Sequence, residues 1–387
     1  MRKKRKTIIV DYDNIILLLF IGLVGVGALM QLNINSVRDN LSFFFRQIFW
    51  LIISSFFLWV SFQKLSINFI RKISFPLVIL TFILLVSVAL KAIFFPDSDI
   101  NGSIRSIRVL GINIQPSLLA RVVLILFTAN VLSKKKDWLE DATPIVFFKQ
   151  FNFLIIVVAI FYILILKERH LTPLIISGLT LIWMLVLAKI PYRTIFLLIA
   201  IVIVSGFIVL QFGAKYRSER TAIFKKYSLI LKAFNLDQEY EGEKEYQIRE
   251  SLIAMASGGL LGRGPNHGLA KHYFLPEAKT DYIFSIIGED FGLWGSLLIL
   301  FAYAGIFWRT WCNAYKETDL FVKFATIGLG MNIFFNAMVN IGVAISALPS
   351  TGVTLPFISY GGTSLLTNFI TIGLLLNFSA ERRRRIS

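Results

Sequence analysis

The sequence predicts an all-α polytopic membrane protein with about ten transmembrane helices and one large extracytoplasmic loop. Hydrophobic residues account for 56% of the 387 residues and charged residues for only 16%, which is more apolar surface than a single soluble core of this length could bury. Predominantly apolar runs that are long enough to cross a bilayer also recur along the chain. Both observations indicate a chain that crosses the membrane many times.

The positions of these runs predict ten spans in one membrane domain, residues 1–387. The runs begin near Asn14, Phe43, Ile73, Leu118, Phe151, Leu171, Thr194, Phe291, Phe321 and Phe357, and each is about 18 to 25 residues long. The domain then divides into a basic N-terminal segment (1–13), spans 1–7 (14–213), a large loop (214–290), spans 8–10 (291–379) and a basic C-terminal segment (380–387).

Basic residues predict the orientation of the spans, because positive charge near the end of a helix disfavours translocation across the membrane. Lys and Arg concentrate in residues 2–6, 134–136 and 382–385, which all fall on one side when ten spans are assumed. The short loops on the other side hold few basic residues. We therefore predict that both termini are cytoplasmic and that the loop of residues 214–290 is extracytoplasmic.

The net charge of +17 indicates the class of partner. Because the basic residues lie at predicted membrane edges, we expect them to bind anionic lipids, and we predict no nucleic-acid partner. Cys312 is the only cysteine, so an intramolecular disulfide and a thiolate metal site are excluded. The sequence also lacks a P-loop and a dinucleotide fingerprint, which argues against ATP-driven transport by this chain alone.

Three polar, irregular segments interrupt the apolar pattern: residues 102–117, 275–281 and 349–364. Charged groups are costly in a membrane protein and mark functional sites. The predicted topology brings all three segments to the extracytoplasmic side. We therefore expect them to form one site.

The large loop contains two further features, each with two interpretations. Residues 215–232, which include Arg217, mix basic and aromatic side chains, and this pattern indicates either an amphipathic helix on the outer leaflet or a solvated helical face. The glycine-rich residues 258–264 either bring backbone amides close to a phosphate or form plain turns.

Two long motifs carry a resemblance to a known family. The first comprises residues 246–254, 258–262 and 275–284, and it includes Leu275-Pro276-Glu277-Ala278 and Thr280-Asp281-Tyr282. The second comprises residues 348–366, and it includes Pro356-Phe357-Ile358-Ser359-Tyr360-Gly361-Gly362. In these segments the chain resembles the SEDS family of peptidoglycan glycosyltransferases, FtsW, RodA and SpoVE, and it is somewhat more similar to FtsW. The predicted plan of ten spans extends the resemblance over essentially the whole chain.

The resemblance implies an enzyme that polymerises lipid II, a disaccharide-pentapeptide on undecaprenyl diphosphate, into glycan strands. The reaction would take place at the outer face of the bacterial cytoplasmic (inner) membrane during cell division or elongation. The implied partners are a class B penicillin-binding protein transpeptidase and other membrane proteins of the divisome or elongasome. We expect the transpeptidase to contact outward faces of the later spans, where Gly328 and Gly330 lie on a suitable span.

Asp281 occupies the position of the family's essential aspartate, which implies that it is the catalytic general base. Attack by a sugar hydroxyl on an anomeric carbon needs a positioned carboxylate. Partial desolvation at the interface should raise the pKa of Asp281, unless a neighbouring cation such as Lys279 offsets the effect. The residues alone also allow the alternative that Asp281 caps the helix that begins after it.

The lipid diphosphate leaving group needs cationic side chains, a helix N-terminus or a divalent ion to stabilise its charge. We predict a divalent cation, Mg²⁺ or Mn²⁺, with unknown ligands, and no organic cofactor. The candidate substrate-binding residues are Arg105, Gln115, Arg217, Glu277, Lys279 and Ser359. Ser359 has the alternative role of packing between helices.

The chain departs from the family's pattern in two places. Where the family has Gly-x-x-Arg-Trp followed by Gln-Pro-Ser-Glu, this chain has Ser106 instead of Trp, Leu118 instead of Glu and Arg121 instead of the usual Lys. Where the family has Gln-Pro-Asp-x-Gly-Thr, residues 167–172 retain only Thr172. Either an ion pair of Glu168 with residue 169 or 170 replaces the missing carboxylate, or the activity is weakened.

Two functions from other classes remain as alternatives. A lipid II flippase would need charged groups or broken helices across the middle of the membrane, and the sequence shows few of them. A noncatalytic scaffold of the division or elongation complex is compatible with the two departures, but not with the retention of Glu277, Thr280 and Asp281.

Overall fold

The computed structural model describes residues 9–37, 41–94, 105–109, 112–168, 171–211, 243–265 and 267–383. The helices are α1 (Asn14–Val37), α2 (Leu41–Trp59), α3 (Ile67–Phe94), α4 (Pro116–Lys134), α5 (Pro144–Gln150), α6 (Asn152–Lys167), α7 (Thr172–Leu187), α8 (Tyr192–Gln211), α9 (Glu243–Gly258), α10 (Ile283–Lys316), α11 (Leu320–Ala344) and α12 (Gly362–Ser379). The strands are β1 (Ile9–Asp11), β2 (Ile107–Val109), β3 (Ile112–Ile114) and β4 (Glu381–Arg383), and they form the antiparallel pairs β1–β4 and β2–β3.

The helices confirm the predicted fold class. Among the described residues, α1, α2, α3, α4, α10, α11 and α12 are long and apolar enough to cross a membrane. The pair formed by α5 and α6, which is bent by 80°, passes the same test, and α7 and residues Tyr192–Val204 of α8 are shorter apolar helices. Together they give ten apolar spans in the predicted order. The protein is therefore a multi-pass membrane protein.

Helices α10 and α12 begin at positions that differ from the sequence prediction. Helix α10 begins at Ile283, well before the predicted start at Phe291, and it is kinked at Gly292 (φ 66°, ψ −161°). A Cβ atom on Gly292 would lie 2.4 Å from the amide nitrogen of Gly262, so both the left-handed conformation and the contact require glycine. Helix α12 begins at Gly362 rather than at Phe357.

Helix α11 lies at the centre of the bundle and packs against α4, α7 and α10. A Cβ atom on Gly328 would lie 2.5 Å from Ile125 of α4, and one on Gly330 would lie 2.3 Å from Thr310 of α10. The prediction that these two glycines face a partner protein is therefore wrong. They allow close packing within the chain, which is the general use of small residues between membrane helices.

The N-terminal ends of α4 and α12 lie side by side. Helix α2 packs against α12, and helix α3 packs against α4. The hydroxyl of Thr363 donates to the carbonyl of Asn113 (2.9 Å) and accepts the amide of Gln115 (3.3 Å). These bonds join the β2–β3 hairpin and the start of α4 to the start of α12.

A buried ion pair holds the large loop against the bundle. The Nζ atom of Lys271 lies 3.0 Å from Oδ1 of Asp290, and both side chains are fully buried. Asn33 of α1 donates to Oδ2 of Asp290 (2.7 Å) and accepts from Lys271 (3.2 Å). We call Lys271, Asp290 and Asn33 the clasp. It fixes the first part of α10, which directly follows Asp281.

Candidate functional site

Asp281 lies in a turn immediately before α10. Glu277 adopts a left-handed conformation (φ 52°), and its carbonyl accepts the amides of Thr280, Asp281 and Tyr282 at 3.1 to 3.3 Å. These bonds fix the backbone of Asp281. The N-cap residue of α10 is Tyr282, so the alternative that Asp281 is the N-cap does not hold.

The loop of residues 349–361 is bonded to this turn. The hydroxyl of Ser359 donates to the carbonyl of Thr280 (2.5 Å) and accepts the amide of Leu355 (2.8 Å). The amide of Tyr360 donates to the carbonyl of Lys279 (2.9 Å). These bonds join two of the three polar segments, residues 275–281 and 349–364. The hydroxyl of Ser359 makes one of the bonds between them.

Buried asparagines on α11 contact both the Asp281 turn and the loop of residues 349–361. Asn332, Asn336 and Asn340 are spaced four residues apart, and each is about 1% exposed. The side-chain amide of Asn340 donates to the carbonyls of Asp281 (2.8 Å) and Val353 (2.6 Å). The sequence analysis missed these residues, although three asparagines at helical spacing in an apolar span were a visible signal.

Arg105 brings the third polar segment to Asp281. The Nη1 atom of Arg105 lies 3.3 Å, and the Oδ2 atom of Asp281 lies 3.5 Å, from the position that a Cβ atom on Gly352 would occupy. Gly352 has φ 72°, so glycine both permits the turn and leaves space for the two charged groups. The structure therefore places one carboxylate and one guanidinium on the same small surface.

A polar cavity of about 230 Å³ adjoins Gly352. It lies between the N-terminal ends of α4 and α12 and the β2–β3 hairpin. Its lining includes Ser106, Gln115, Arg121, Asn336, Thr363 and Ser364. The first residues of α12 contribute the partial positive charge of a helix N-terminus to this cavity.

Arg121 is the basic residue on the α4 side of the cavity. It is 3% exposed, and its Nη1 atom donates to Oδ1 of Asn336 (3.0 Å). Its Nε atom has no hydrogen-bond partner, and within the described ranges no carboxylate forms an ion pair with it. A buried guanidinium without a counter-ion favours an anionic ligand. The sequence analysis noted Arg121 only as a departure from the family.

Glu168 lies at the corner between α6 and α7, outside the span. It is 1% exposed, and neither carboxyl oxygen has a hydrogen-bond partner in the part of the chain that is described. Burial raises the pKa of the Glu168 carboxyl to about 8, while the Ser117 hydroxyl and the Arg105 guanidinium act in the opposite direction. The expected pairing with residue 169 or 170 lies outside the described residues.

An aromatic pair lies next to Lys279 in the Asp281 turn. The Nζ atom of Lys279 lies 3.3 Å from the centroid of the Phe43 ring, and Phe43 contacts Tyr360 edge to face at 5.8 Å. The family has an aromatic residue where this chain has Ser106. Phe43 and Tyr360 provide aromatic surface close to Asp281 from other elements.

The remaining candidates have the following positions. Gln115 lines the cavity and is the N-cap of α4. The carboxylate of Glu277 accepts the hydroxyl of Thr280 (2.6 Å). Arg217 lies outside the described residues. The proposed contacts of Arg105, Gln115, Arg217, Glu277, Lys279 and Ser359 with substrate stay predictions.

The glycine-rich residues 258–264 form turns against α10. The amides of Arg263 and Gly264 donate to the carbonyls of Glu289 and Asp290 (both 2.9 Å), and the amide of Gly262 donates to the carbonyl of Gly258 (2.8 Å). These amides are used within the chain, which favours plain turns over a phosphate site.

The described residues do not fit a resident divalent cation held by protein side chains alone. They contain no group of three or more His, Cys, Asp or Glu side chains that could hold a metal ion. The carboxylate of Asp281 also has a guanidinium as its neighbour. Mg²⁺ is often bound by one or two carboxylates together with substrate phosphates.

Comparison with known proteins agrees with this arrangement. The model of the family described as "Cell cycle protein", covering FtsW, RodA and SpoVE, matches residues 11–384. The chain belongs to the FtsW/RodA/SpoVE family. A "Probable peptidoglycan glycosyltransferase FtsW" of Trichlorobacter lovleyi is 30% identical over 96% of this chain and 93% of that protein. The protein of the same name from Wigglesworthia glossinidia brevipalpis is 31% identical over 99% and 97%.

Solved structures show that this member of the FtsW/RodA/SpoVE family has the same fold as its relatives. One is described as "Structural coordination of polymerization and crosslinking by a peptidoglycan synthase complex". It has a TM-score of 0.74 and 22% identity over 95% of this chain and 97% of that chain. The rod shape determining protein RodA of Thermus thermophilus has a TM-score of 0.65 and 21% identity over 94% and 95%.

Proposed function

We propose that this member of the FtsW/RodA/SpoVE family is a peptidoglycan glycosyltransferase that polymerises lipid II in cell division. One observation carries the proposal. Asp281 and Arg105 face each other across Gly352, beside a polar cavity in which Arg121 lacks a carboxylate partner among the described residues. The names of the FtsW relatives support the same activity.

Asp281 is the general base of the proposed reaction. A carboxylate whose backbone is fixed by Glu277 and Asn340 can accept the proton of the attacking sugar hydroxyl with little reorganisation. The Arg105 guanidinium lies close to the same carboxylate.

Arg121 and the N-terminus of α12 bind the diphosphate leaving group. The bond from the anomeric carbon to the diphosphate oxygen breaks as the bond to the attacking hydroxyl oxygen forms, and negative charge develops on the diphosphate. A buried guanidinium and a helix N-terminus that line one cavity stabilise such charge. A cation that enters with the diphosphate, Mg²⁺ or Mn²⁺, would add to this effect.

The location and partners of the protein are part of the proposal. The distribution of basic residues supports a bacterial cytoplasmic membrane protein with both termini in the cytoplasm and the Asp281 end outside. The name of the solved complex joins polymerization to crosslinking, which supports a class B penicillin-binding protein as partner. Other divisome proteins and anionic lipids complete the expected set of partners.

Replacement of Asp281 tests the proposed function. We expect the full chain with its transpeptidase partner to polymerise lipid II in the presence of Mg²⁺ or Mn²⁺. Asp281→Asn preserves the shape of the side chain but removes the base, and should lower the polymerisation rate by about 100- to 10,000-fold. The measurement is glycan formation from labelled lipid II.

Asp319→Asn is the matched control. Asp319 is the N-cap of α11 and pairs with Arg71 at the opposite end of the bundle. This variant should be less stable but still form polymer. Unchanged polymer formation by Asp281→Asn would contradict the base assignment.

Two further outcomes would replace the proposal. Transbilayer movement of lipid II in liposomes without any polymer would indicate a flippase. Complementation of a depletion strain by Asp281→Ala would indicate a noncatalytic scaffold.

A further inference from the structure

A pair of exposed leucines lies in the large loop, and the proposed reaction does not use it. Leu260 and Leu261 follow α9 and are 65% and 82% exposed. Gly259 (φ 55°) and Gly262 (φ 85°) adopt left-handed conformations on either side of them, so the chain turns sharply around the two residues. We call Leu260 and Leu261 the leucine tip. The turn presents both apolar side chains away from the protein.

Hydrogen bonds to α10 show where the leucine tip lies along that helix. The amides of residues 263–264 donate to the carbonyls of residues 289–290, which precede the kink (both 2.9 Å). The amides of Leu293 and Trp294, which follow the kink, donate to the carbonyls of Gly259 (2.9 Å) and Leu260 (3.4 Å). The turn therefore runs along α10 away from the start of the helix. The leucine tip is the far end of the turn and lies beside Trp294.

The exposed aromatic side chains of α10 mark the position of the membrane. Trp294 and Tyr315 are both exposed and are separated by 21 residues of helix, which at 1.5 Å per residue is about 32 Å. This length is close to the thickness of the hydrocarbon core, about 30 Å. The exposed side chains between them are Leu298, Phe301 and Trp308. Because Trp and Tyr concentrate at the two membrane–water interfaces, Trp294 marks one interface, and the leucine tip lies at the same depth.

The surroundings of the leucine tip fit a lipid surface. The exposed Leu293 and Trp294 continue the apolar surface of the tip to Leu298, on a helix that is long enough to cross the membrane. On the other side, Nε of Arg263 donates to the carbonyl of Ser257 (3.2 Å), and within the described ranges no carboxylate forms an ion pair with this guanidinium. Apolar residues next to a basic residue are typical of segments at the boundary between acyl chains and anionic headgroups.

We propose that the leucine tip inserts into the lipid leaflet at the Asp281 end of the bundle and anchors the large loop to the membrane. The two leucines lie among the acyl chains at the depth of Trp294, and the Arg263 guanidinium binds the lipid phosphates. Lipid is the partner of this surface because the tip continues the face that a membrane-spanning helix exposes.

The anchor acts on the Asp281 turn through α10. The turn that carries the leucine tip is bonded to α10 on both sides of the kink at Gly292, and Asp281 lies two residues before this helix begins. Insertion therefore fixes the depth of the Asp281 turn relative to the hydrocarbon core. The inference does not depend on the reaction that takes place there.

A fluorescent probe at Leu261 tests the insertion. Cys312 is the only cysteine, so Cys312→Ser combined with Leu261→Cys leaves one thiol for an environment-sensitive fluorophore. The labelled full chain is reconstituted, without any other protein, into vesicles of phosphatidylethanolamine and phosphatidylglycerol. We expect a blue-shifted emission and quenching by a nitroxide placed on the lipid acyl chain about 5 to 10 Å into the leaflet. Quenching by iodide in the water should be several-fold weaker than at an exposed loop.

Two control positions in the same background calibrate the probe. Glu140→Cys is the water control, because Glu140 forms a surface ion pair with Lys189 and its side chain is 74% exposed. Leu298→Cys, on the exposed face of α10, is the membrane control. Leu260→Cys places the probe on the other residue of the leucine tip, so the test does not depend on one labelled variant. Circular dichroism checks that each labelled variant keeps its helical fold.

Two outcomes would overturn the inference. Iodide quenching of a probe on the leucine tip that equals quenching at the Glu140 position would show that the tip lies in water. Shielding that arises only after a transpeptidase partner is added would show that a protein covers the tip. Polymer formation is not measured, so failure of the proposed function would leave this result unaffected.

Discussion

The clasp and the cavity are two groups of buried charges at the same end of the molecule, and they differ in how their charges are balanced. In the clasp, Lys271 contacts both oxygens of Asp290, and Asn33 donates to Oδ2 of Asp290 and accepts from Lys271. In the cavity, Arg121 has one hydrogen bond to an asparagine and no carboxylate partner among the described residues. The difference indicates which charges hold the fold and which are kept for a ligand.

The physical reason is the cost of removing a charge from water. A buried ion costs several kcal/mol unless partners in the protein replace its hydration. The clasp supplies those partners from within the chain and stabilises the loop that carries Asp281. In the cavity, the cost of burying the Arg121 guanidinium is only partly offset. This is typical of functional sites, where residues that serve the function often lower stability.

Breaking the clasp should have the largest effect on stability. Asp290→Ala removes the carboxylate that forms an ion pair with the buried ammonium of Lys271, and should lower the free energy of unfolding by about 3 to 5 kcal/mol. The measurement is thermal unfolding in detergent. Because the first part of α10 would also lose its anchor, lipid II polymerisation should fall together with stability.

The double variant Lys271→Met/Asp290→Leu is the control for this prediction. Replacing both charges by apolar side chains leaves no ion in this buried position, and should recover most of the stability that Asp290→Ala loses. Equal destabilisation by the single and the double variant would show that the charges do not hold the loop.

Removing the cavity charge should give the opposite pattern. Arg121→Met retains much of the volume but removes the guanidinium, and we expect stability to be unchanged or higher because an incompletely paired buried charge is lost. KM for lipid II should rise by about 10- to 100-fold, the equivalent of one charge-assisted hydrogen bond. Unfolding and steady-state kinetics on the same preparation check both effects. A loss of stability comparable to that of Asp290→Ala would remove the distinction between the two regions.

The sequence predicted the spans and the meeting of the three polar segments because these depend on local patterns. Apolar runs identify membrane helices from composition alone. The early start of α10 was not predictable in this way, since Glu289 and Asp290 make its first part polar. Those residues tolerate burial only because the loop and α1 supply their partners.

The details of the site depend on contacts between distant parts of the chain. Asn340 positions Asp281 through a backbone carbonyl, which no side-chain motif reveals. Glu168 lies in a segment that departs from the family, and its burial between α6 and α7 depends on how the helices pack. Motifs therefore identified Asp281 but not the groups that control its surroundings.

The smallest predicted effect concerns the space between Asp281 and Arg105. Gly352→Ala introduces a Cβ atom 3.3 Å from Nη1 of Arg105 at a left-handed position (φ 72°). We expect a loss of about 1 kcal/mol of stability from the backbone strain and a several-fold lower kcat, because the two charged groups must move apart by a few tenths of an ångström.

Gly259→Ala separates strain from contact. Gly259 is also left-handed (φ 55°), but nothing lies within 4 Å of the position that its Cβ atom would occupy. It should lose a similar amount of stability and keep the wild-type kcat. If both variants lower kcat equally, strain alone explains the loss, and the separation of Asp281 and Arg105 does not control the reaction. If only Gly352→Ala does, the spacing of these two charges is part of the catalytic geometry, in contrast to the clasp, whose charges act through stability.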